Sequence, residues 1–167
     1  ARGRRLVGWD EILEGGLAPG ATVMSWRGVD GGIAAARLKH DVVMAPSSHT
    51  YFDHYQSENR QREPLAIGGF NPLSKAYAFE PVPESLTPDE ARHILGAQAQ
   101  LWTEYIENPK AVEYMAFPRM SALAEVVWTS RDRRDFGDFS RRLSAHLKRL
   151  DALDVNYRPL DATAAIP

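Results

Sequence analysis

The chain has 167 residues, 44% of them hydrophobic and 25% charged, with a formal net charge of −2. That length can bury a core, and the slightly acidic balance argues against a general nucleic-acid or anionic-membrane binder. The lack of cysteine excludes disulfides and thiolate chemistry, and no apolar run reaches the roughly 20 residues needed to span a bilayer.

In chain order, Leu6 to Trp9 reads as a short strand, and Glu11 to Glu14 as a brief helix stopped by Gly15-Gly16. Thr22 to Trp26 is a second strand, Gly28 to Gly32 a turn, and Ile33 to Lys39 a helix containing three consecutive alanines. Asp41 to Ala45 is a third strand, ended by Pro46. The strand–helix–strand spacing is that of a parallel βαβ unit. From Asp53 to Gly69 runs a long polar loop, of the kind that is functional or disordered. Ser74 to Phe79 is one helical turn or a short extended piece. Ile94 to Trp102 reads as a fourth strand with alternating small residues. Val112 to Trp128 follows as helix, with Trp128 on its apolar face and so in the core. Asp135 to Leu153 repeats Phe136, Phe139, Leu143, Leu147, Leu150 and Leu153 at near-helical spacing. Asp161 to Pro167 is expected to fray.

The order β-α-β-α-β-loop-β-α-α fits an open parallel sheet or half of a βα barrel. What favours the barrel is a recurring pairing of an aromatic with a nearby charged residue at the ends of the apolar runs, the charge being an acid in three of the four. Trp9 precedes Asp10-Glu11, Trp26 precedes Arg27-Gly28, Tyr51 stands two before Asp53, and Trp102 two before Glu104. Barrel chemistry sits at the C-terminal ends of strands. An indole face packs on the apolar side of a pyranose while a carboxylate accepts from its hydroxyls. Each pair taken alone also fits a core aromatic or a plain turn; the four together read as one carbohydrate pocket. Asp10 and Glu11 read better as a helix N-terminal pair meeting the dipole. Arg119 and Glu125 are expected to pair with each other or to cap element ends, without chemistry. None of the five histidines stands at a metal-ligand spacing, and only His54 falls beside the pocket.

These residues resemble the C-terminal part of the catalytic barrel of glycoside hydrolase family 20, the β-N-acetylhexosaminidases. The markers are Gly8-Trp9-Asp10-Glu11-Ile12, Trp26-Arg27-Gly28, Tyr51-Phe52-Asp53, Leu101-Trp102-Thr103-Glu104-Tyr105, Phe117-Pro118-Arg119 and Ala122-Leu123-Ala124-Glu125. The resemblance implies an α/β fold, the C-terminal half of a (β/α)8 TIM barrel with about four βα units ending in two helices. Residues 1–160 would carry barrel strands 5–8, and 161–167 would be a tail. It implies substrate-assisted retention, in which the 2-acetamido oxygen attacks the sugar's own anomeric carbon, an exception to the two-carboxylate scheme. Trp9, Trp26 and Trp102 resemble the indoles around the acetamido group and ring. Tyr51 resembles the catalytic phenol that donates to the acetamido oxygen. Asp53 and Glu104 resemble the acids gripping hydroxyls toward the non-reducing end.

The family's general acid and its partner, an Asp-Glu pair in a His-x-Gly-Gly-Asp-Glu type motif, do not occur in this sequence. Nor does the sugar-binding Arg that relatives supply from an early strand. A further Trp that some relatives carry after the Tyr-x-Asp motif is also missing, leaving that wall open or filled by Phe70. The chain therefore reads as a piece holding the sugar pocket without the proton donor, inactive in isolation. No cofactor is implied. The implied partners are N-acetylhexosamine-terminated glycans and either the N-terminal barrel half or a second copy, with no nucleic acid and no membrane. The rival reading is a non-catalytic sugar-binding or self-assembling half-barrel; a third is an α/β domain whose aromatics are only core.

Overall fold

A computed structural model describes residues 3–160. These form two compact units, one within residues 1–50 and 80–98 and the other within 51–79 and from 99 onward.

The first unit is built on a parallel four-stranded sheet of β1 (Val7–Trp9), β2 (Thr22–Ser25), β3 (Val42–Met44) and β4 (Ile94–Ala97), in that spatial order. Val23 stands opposite both Gly8 and Val42, and Met44 opposite Ala97, with an irregularity between Val42 and Val43. β-Branched residues fill the central strands, as a sheet covered by crossover helices requires. Helix α1 (Asp30–Arg37) buries Ala35 and Ala36 completely. It lies so close that a Cβ on Gly32 would stand 2.6 Å from the Met44 methyl carbon. α1 begins at Asp30, earlier than propensity indicates, because a side chain of β2 organises its first turn. The buried Ser25 hydroxyl donates to Gly28 O and accepts from Gly32 N, both at 2.8 Å. One-turn helix α2 (Ser47–Thr50) closes the segment after β3.

The fourth strand stops at Ala97 instead of running to Trp102. Gly96 sits at φ 140°, a conformation that takes the chain out of the regular ladder.

In the second unit, α3 (Leu73–Tyr77), α5 (Pro109–Ala116), α6 (Arg119–Trp128) and α7 (Phe136–Ala152) supply the core; α4 (Pro88–Ala91) belongs to the first unit. The predicted helix over 112–128 is two helices. Pro118 has no N–H to donate, and Phe117 before it is extended at ψ 141°, so the helix must break there. The break resets the helical phase, which leaves Trp128 86% exposed and not in the core. Helix α7 follows the sequence pattern closely. Asp135 caps it by accepting from Asp138 N, and Phe139, Leu143, Leu147 and Leu150 are buried, while Leu153 lies past its end and is exposed. The rings of Tyr77 and Phe139 stand 4.9 Å apart.

The polar stretch after Asp53 has little regular structure but is anchored throughout. Tyr55 bridges to Phe70, Asn71 N donates to Tyr55 O at 2.8 Å, and Tyr55 packs with Ala66 and Met115. Glu63, its side chain nearly sealed from water, accepts from Arg158 Nε at 2.7 Å and from the Tyr114 hydroxyl at 3.3 Å. The expected tail at 161–167 lies outside the described residues.

Candidate functional site

In the first unit, the end of β1 is latched to the end of β2 by the two acids that follow half-buried Trp9. Asp10 is buried, and its Oδ2 accepts from the backbone N–H groups of Trp26 at 3.1 Å and Arg27 at 3.2 Å. Its Oδ1 accepts from Arg27 Nε at 2.7 Å. Glu11 accepts the indole N–H of Trp26 at 3.0 Å, which fixes that ring's orientation. Arg27 also reaches Glu14 at 3.0 Å; hydrogen bonds to Glu14 and Asp10 hold its pKa above the ordinary value. Asp10 and Glu11 do open a short 3-10 turn (Asp10–Leu13). Their carboxylates nevertheless serve the neighbouring strand end more than the helix dipole.

In the second unit, Tyr51 forms a parallel bridge with Gln100, and Phe52 N donates to Gln100 O at 2.8 Å. Two residues beyond each bridge partner come Asp53 and Trp102. Asp53 lies in the turn that directly follows the Tyr51 bridge, and Glu104 opens a turn two residues after Trp102, so neither pair stands on the regular extended strand that the two-residue spacing predicts. Asp53 is 4% exposed, and its Oδ1 has no hydrogen-bond partner among the described residues. Burial pushes its carboxyl up to about 6; its own backbone N–H bond opposes this, the Glu104 charge adds to it, and the Arg119 charge opposes it. Asp53 and Glu104 are thus brought near one another. Trp102 and Glu104 are exposed.

Beside them, the Tyr51 and His54 rings stand 5.7 Å apart. Gly69, at φ 64°, passes so close to the His54 ring that a Cβ there would stand 2.3 Å from Nδ1. Burial, then the charges of Arg119 and Lys75, lower the His54 pKa, which keeps the ring neutral. Phe70 is 36% exposed, at the far end of the Tyr55 bridge.

Arg119 does not pair with Glu125. Glu125 instead accepts from Arg142 Nη2 at 2.7 and 2.8 Å and from the Tyr77 hydroxyl at 3.1 Å. Arg119 is fully buried and donates to four backbone carbonyls, those of His54, Asn71, Phe52 and Met115. One sequence signal pointed to it: a cation opening a helix opposes the helix dipole, so it needs acceptors elsewhere. Among the described residues no cluster of three or more His, Asp or Glu is placed to hold a metal.

Four parallel strands with a helical crossover, and Trp9-Asp10 and Trp26 where β1 and β2 end, define a segment of an α/β fold of the barrel type. The sequence profile of the glycosyl hydrolase family 20 catalytic domain matches residues 1–131, and the chain belongs to that family. It is 55% identical over 156 residues to a β-hexosaminidase of Porphyromonas gingivalis, across 93% of this chain and 20% of that protein. The fold superimposes on the family-20 exo-β-N-acetylglucosaminidase of Vibrio harveyi in complex with N-acetylglucosamine. The TM-score there is 0.83 at 38% identity, over 94% of this chain and 25% of that one. The β-N-acetylhexosaminidase of Streptomyces coelicolor matches with a TM-score of 0.83 at 26% identity, over 96% of this chain and 33% of that one. The chain therefore spans between a fifth and a third of the length of these relatives. Its four parallel strands are part of the family's (β/α)8 barrel.

Proposed function

We propose that this chain supplies the sugar-gripping residues of a retaining exo-β-N-acetylhexosaminidase, as strands 5–8 of the barrel within residues 1–160. The observation that carries the reading is Asp53: a buried carboxylate with an unpartnered oxygen, beside a second carboxylate, in the turn that follows Tyr51. Buried acceptors are costly unless a donor reaches them, and a sugar hydroxyl is such a donor.

In this reading Asp53 and Glu104 accept from hydroxyls toward the non-reducing end of a terminal N-acetylhexosamine. Trp102 supports the ring, and Trp9 and Trp26 take the role of indoles around the acetamido group. Tyr51 donates to the acetamido oxygen as that oxygen attacks the anomeric carbon; a neutral phenol, with an unperturbed pKa of about 10, keeps its proton at working pH. The glycosidic bond breaks as the new C–O bond forms, and the leaving oxygen takes a proton from a Glu that this chain does not contain. Water then opens the oxazolinium intermediate with net retention. Holding the acetamido group in a near-attack position is the chain's contribution to rate. The glycan is thus one partner, and the N-terminal barrel half, or a second copy of this chain, is the other.

The reading is tested with p-nitrophenyl N-acetyl-β-D-glucosaminide and the matching β-D-glucoside. The full-length protein is expected to hydrolyse the first and not the second, because only the first carries its own nucleophile. The 167-residue chain alone is expected to hydrolyse neither. Equal turnover of both substrates, or normal turnover by the isolated chain, contradicts the reading.

A further inference from the structure

We infer that Arg119 is the positioning residue of the Tyr51–Asp53 segment: its buried guanidinium holds the carbonyls on both sides of Asp53 and so sets where that carboxylate meets the sugar. The inference rests on the reading of Asp53 as a hydroxyl acceptor.

The geometry is specific to a planar fork of donors. Nη1 donates to His54 O at 3.1 Å and Asn71 O at 2.9 Å. Nη2 donates to Phe52 O and to Met115 O, the latter at 2.6 Å. The guanidinium carbon stands 4.9 Å from the centre of the Phe52 ring. Phe52 O belongs to the peptide that enters Asp53 and His54 O to the peptide one residue beyond it, so holding both fixes the turn from which the Asp53 side chain projects. Asn71 lies where the long loop returns, and Met115 in the last turn of α5. One side chain therefore ties the Tyr51–Asp53 segment to the base of the loop and to the helical core.

Packing alone does not account for an arginine at this position. A fully buried guanidinium with no carboxylate in hydrogen-bond contact is costly, and a helix start repels it. Four carbonyl dipoles compensate its charge directly, while Glu63 and Asp53 act on it through space. Burial pulls its pKa down to about 9, so it stays charged at neutral pH. That charge favours the ionised form of Asp53, against burial and against Glu104. Arg119 thus both aims the acceptor and helps keep it an acceptor. Lysine retains the charge but lacks the rigid fork that reaches four carbonyls.

The test compares kcat/KM of the full-length protein on p-nitrophenyl N-acetyl-β-D-glucosaminide with that on its 4-deoxy and 6-deoxy analogues. Wild type is expected to prefer the parent sugar, and Asp53→Asn to lose the preference. Arg119→Lys is expected to lose it at least tenfold, and adding Asp53→Asn to Arg119→Lys to change it little more, since the two act as one unit. If Asp53→Asn abolishes the preference and Arg119→Lys weakens all substrates equally, Arg119 is merely structural and the inference is overturned alone. If Asp53→Asn keeps the preference, the hydroxyl-gripping reading fails and takes the inference with it. Should Arg119→Lys not fold, wild type decides through the NMR signals of the Arg119 Nη protons under saturating N-acetylglucosamine. The expected result is that these signals move, with Trp fluorescence confirming binding. Signals that stay fixed while the sugar binds overturn the inference.

Discussion

Asp53 joins a buried, unpartnered oxygen to a neighbouring carboxylate, and that combination sets a pH response. Its folded pKa, about 6, lies above the ordinary 3.8, so between those values the native state binds more protons than the unfolded chain. Stability contributed at this site therefore falls as pH rises from about 4 to about 6 and then levels off. We expect Asp53→Asn to flatten that part of the profile, read from urea midpoints at pH 4, 5, 6 and 7; an unchanged slope assigns the pH dependence elsewhere. A hydroxyl donor favours the carboxylate, so affinity for N-acetylglucosamine is expected to rise as pH approaches 6. Asp10 answers to a different logic, with one buried carboxylate serving two backbone donors and Arg27. Asp10→Asn is expected to cost about 1–3 kcal/mol in denaturant unfolding. Tyr51 with Asp53 and Trp102 with Glu104 are visible in the sequence as aromatic–acid pairs two residues apart, but the turns at Phe52-Asp53 and Glu104-Tyr105 are not, since the spacing alone reads as extended chain. Arg119 is visible in the sequence as a motif residue and a helix-opening cation, but its contacts are not, because its acceptors are backbone carbonyls, which every residue carries.

Among the elements, those with a clear period were the legible ones. The stripe through Phe139, Leu143, Leu147 and Leu150 is the buried face of α7, and Leu143→Ala is expected to cost 2–5 kcal/mol, about the usual range for a buried leucine. Thr87 and Glu90 form a reciprocal capping box at the start of α4. Thr87→Ala is expected to cost about 1 kcal/mol, measurable as a shift in midpoint without a change in slope. The split between α5 and α6 escaped a periodicity argument because apolar residues continue across Pro118. An unbroken period over that run places Trp128 in the core, whereas the break at Pro118 turns it to solvent. The end of β4 at Ala97 turned on the Gly96 dihedral, which spacing does not encode.

At the scale of the whole molecule, the order of short motifs carried more than composition did. The βα rhythm alone fits an open sheet as well as a barrel; the superposition on family-20 structures, with a TM-score of 0.83 over 94% of this chain, decides between them. β1 and β4 are the outer strands of the described sheet, and Leu6, Val7 and Leu95 at those edges are exposed. Unpaired parallel edges with apolar flanks invite further pairing. The 167-residue chain produced alone is expected to elute in light-scattering chromatography well above its 18.7 kDa monomer mass; a monodisperse monomer contradicts this.

The central claim is that Tyr51 and its neighbours grip and activate the substrate while the proton comes from outside this chain. It is tested most directly by kcat and KM of Tyr51→Phe in the full-length protein on p-nitrophenyl N-acetyl-β-D-glucosaminide. Losing the phenol that holds the attacking acetamido oxygen in its near-attack position is expected to lower kcat about 10²-fold with KM little altered. A variant that keeps wild-type kcat contradicts the account.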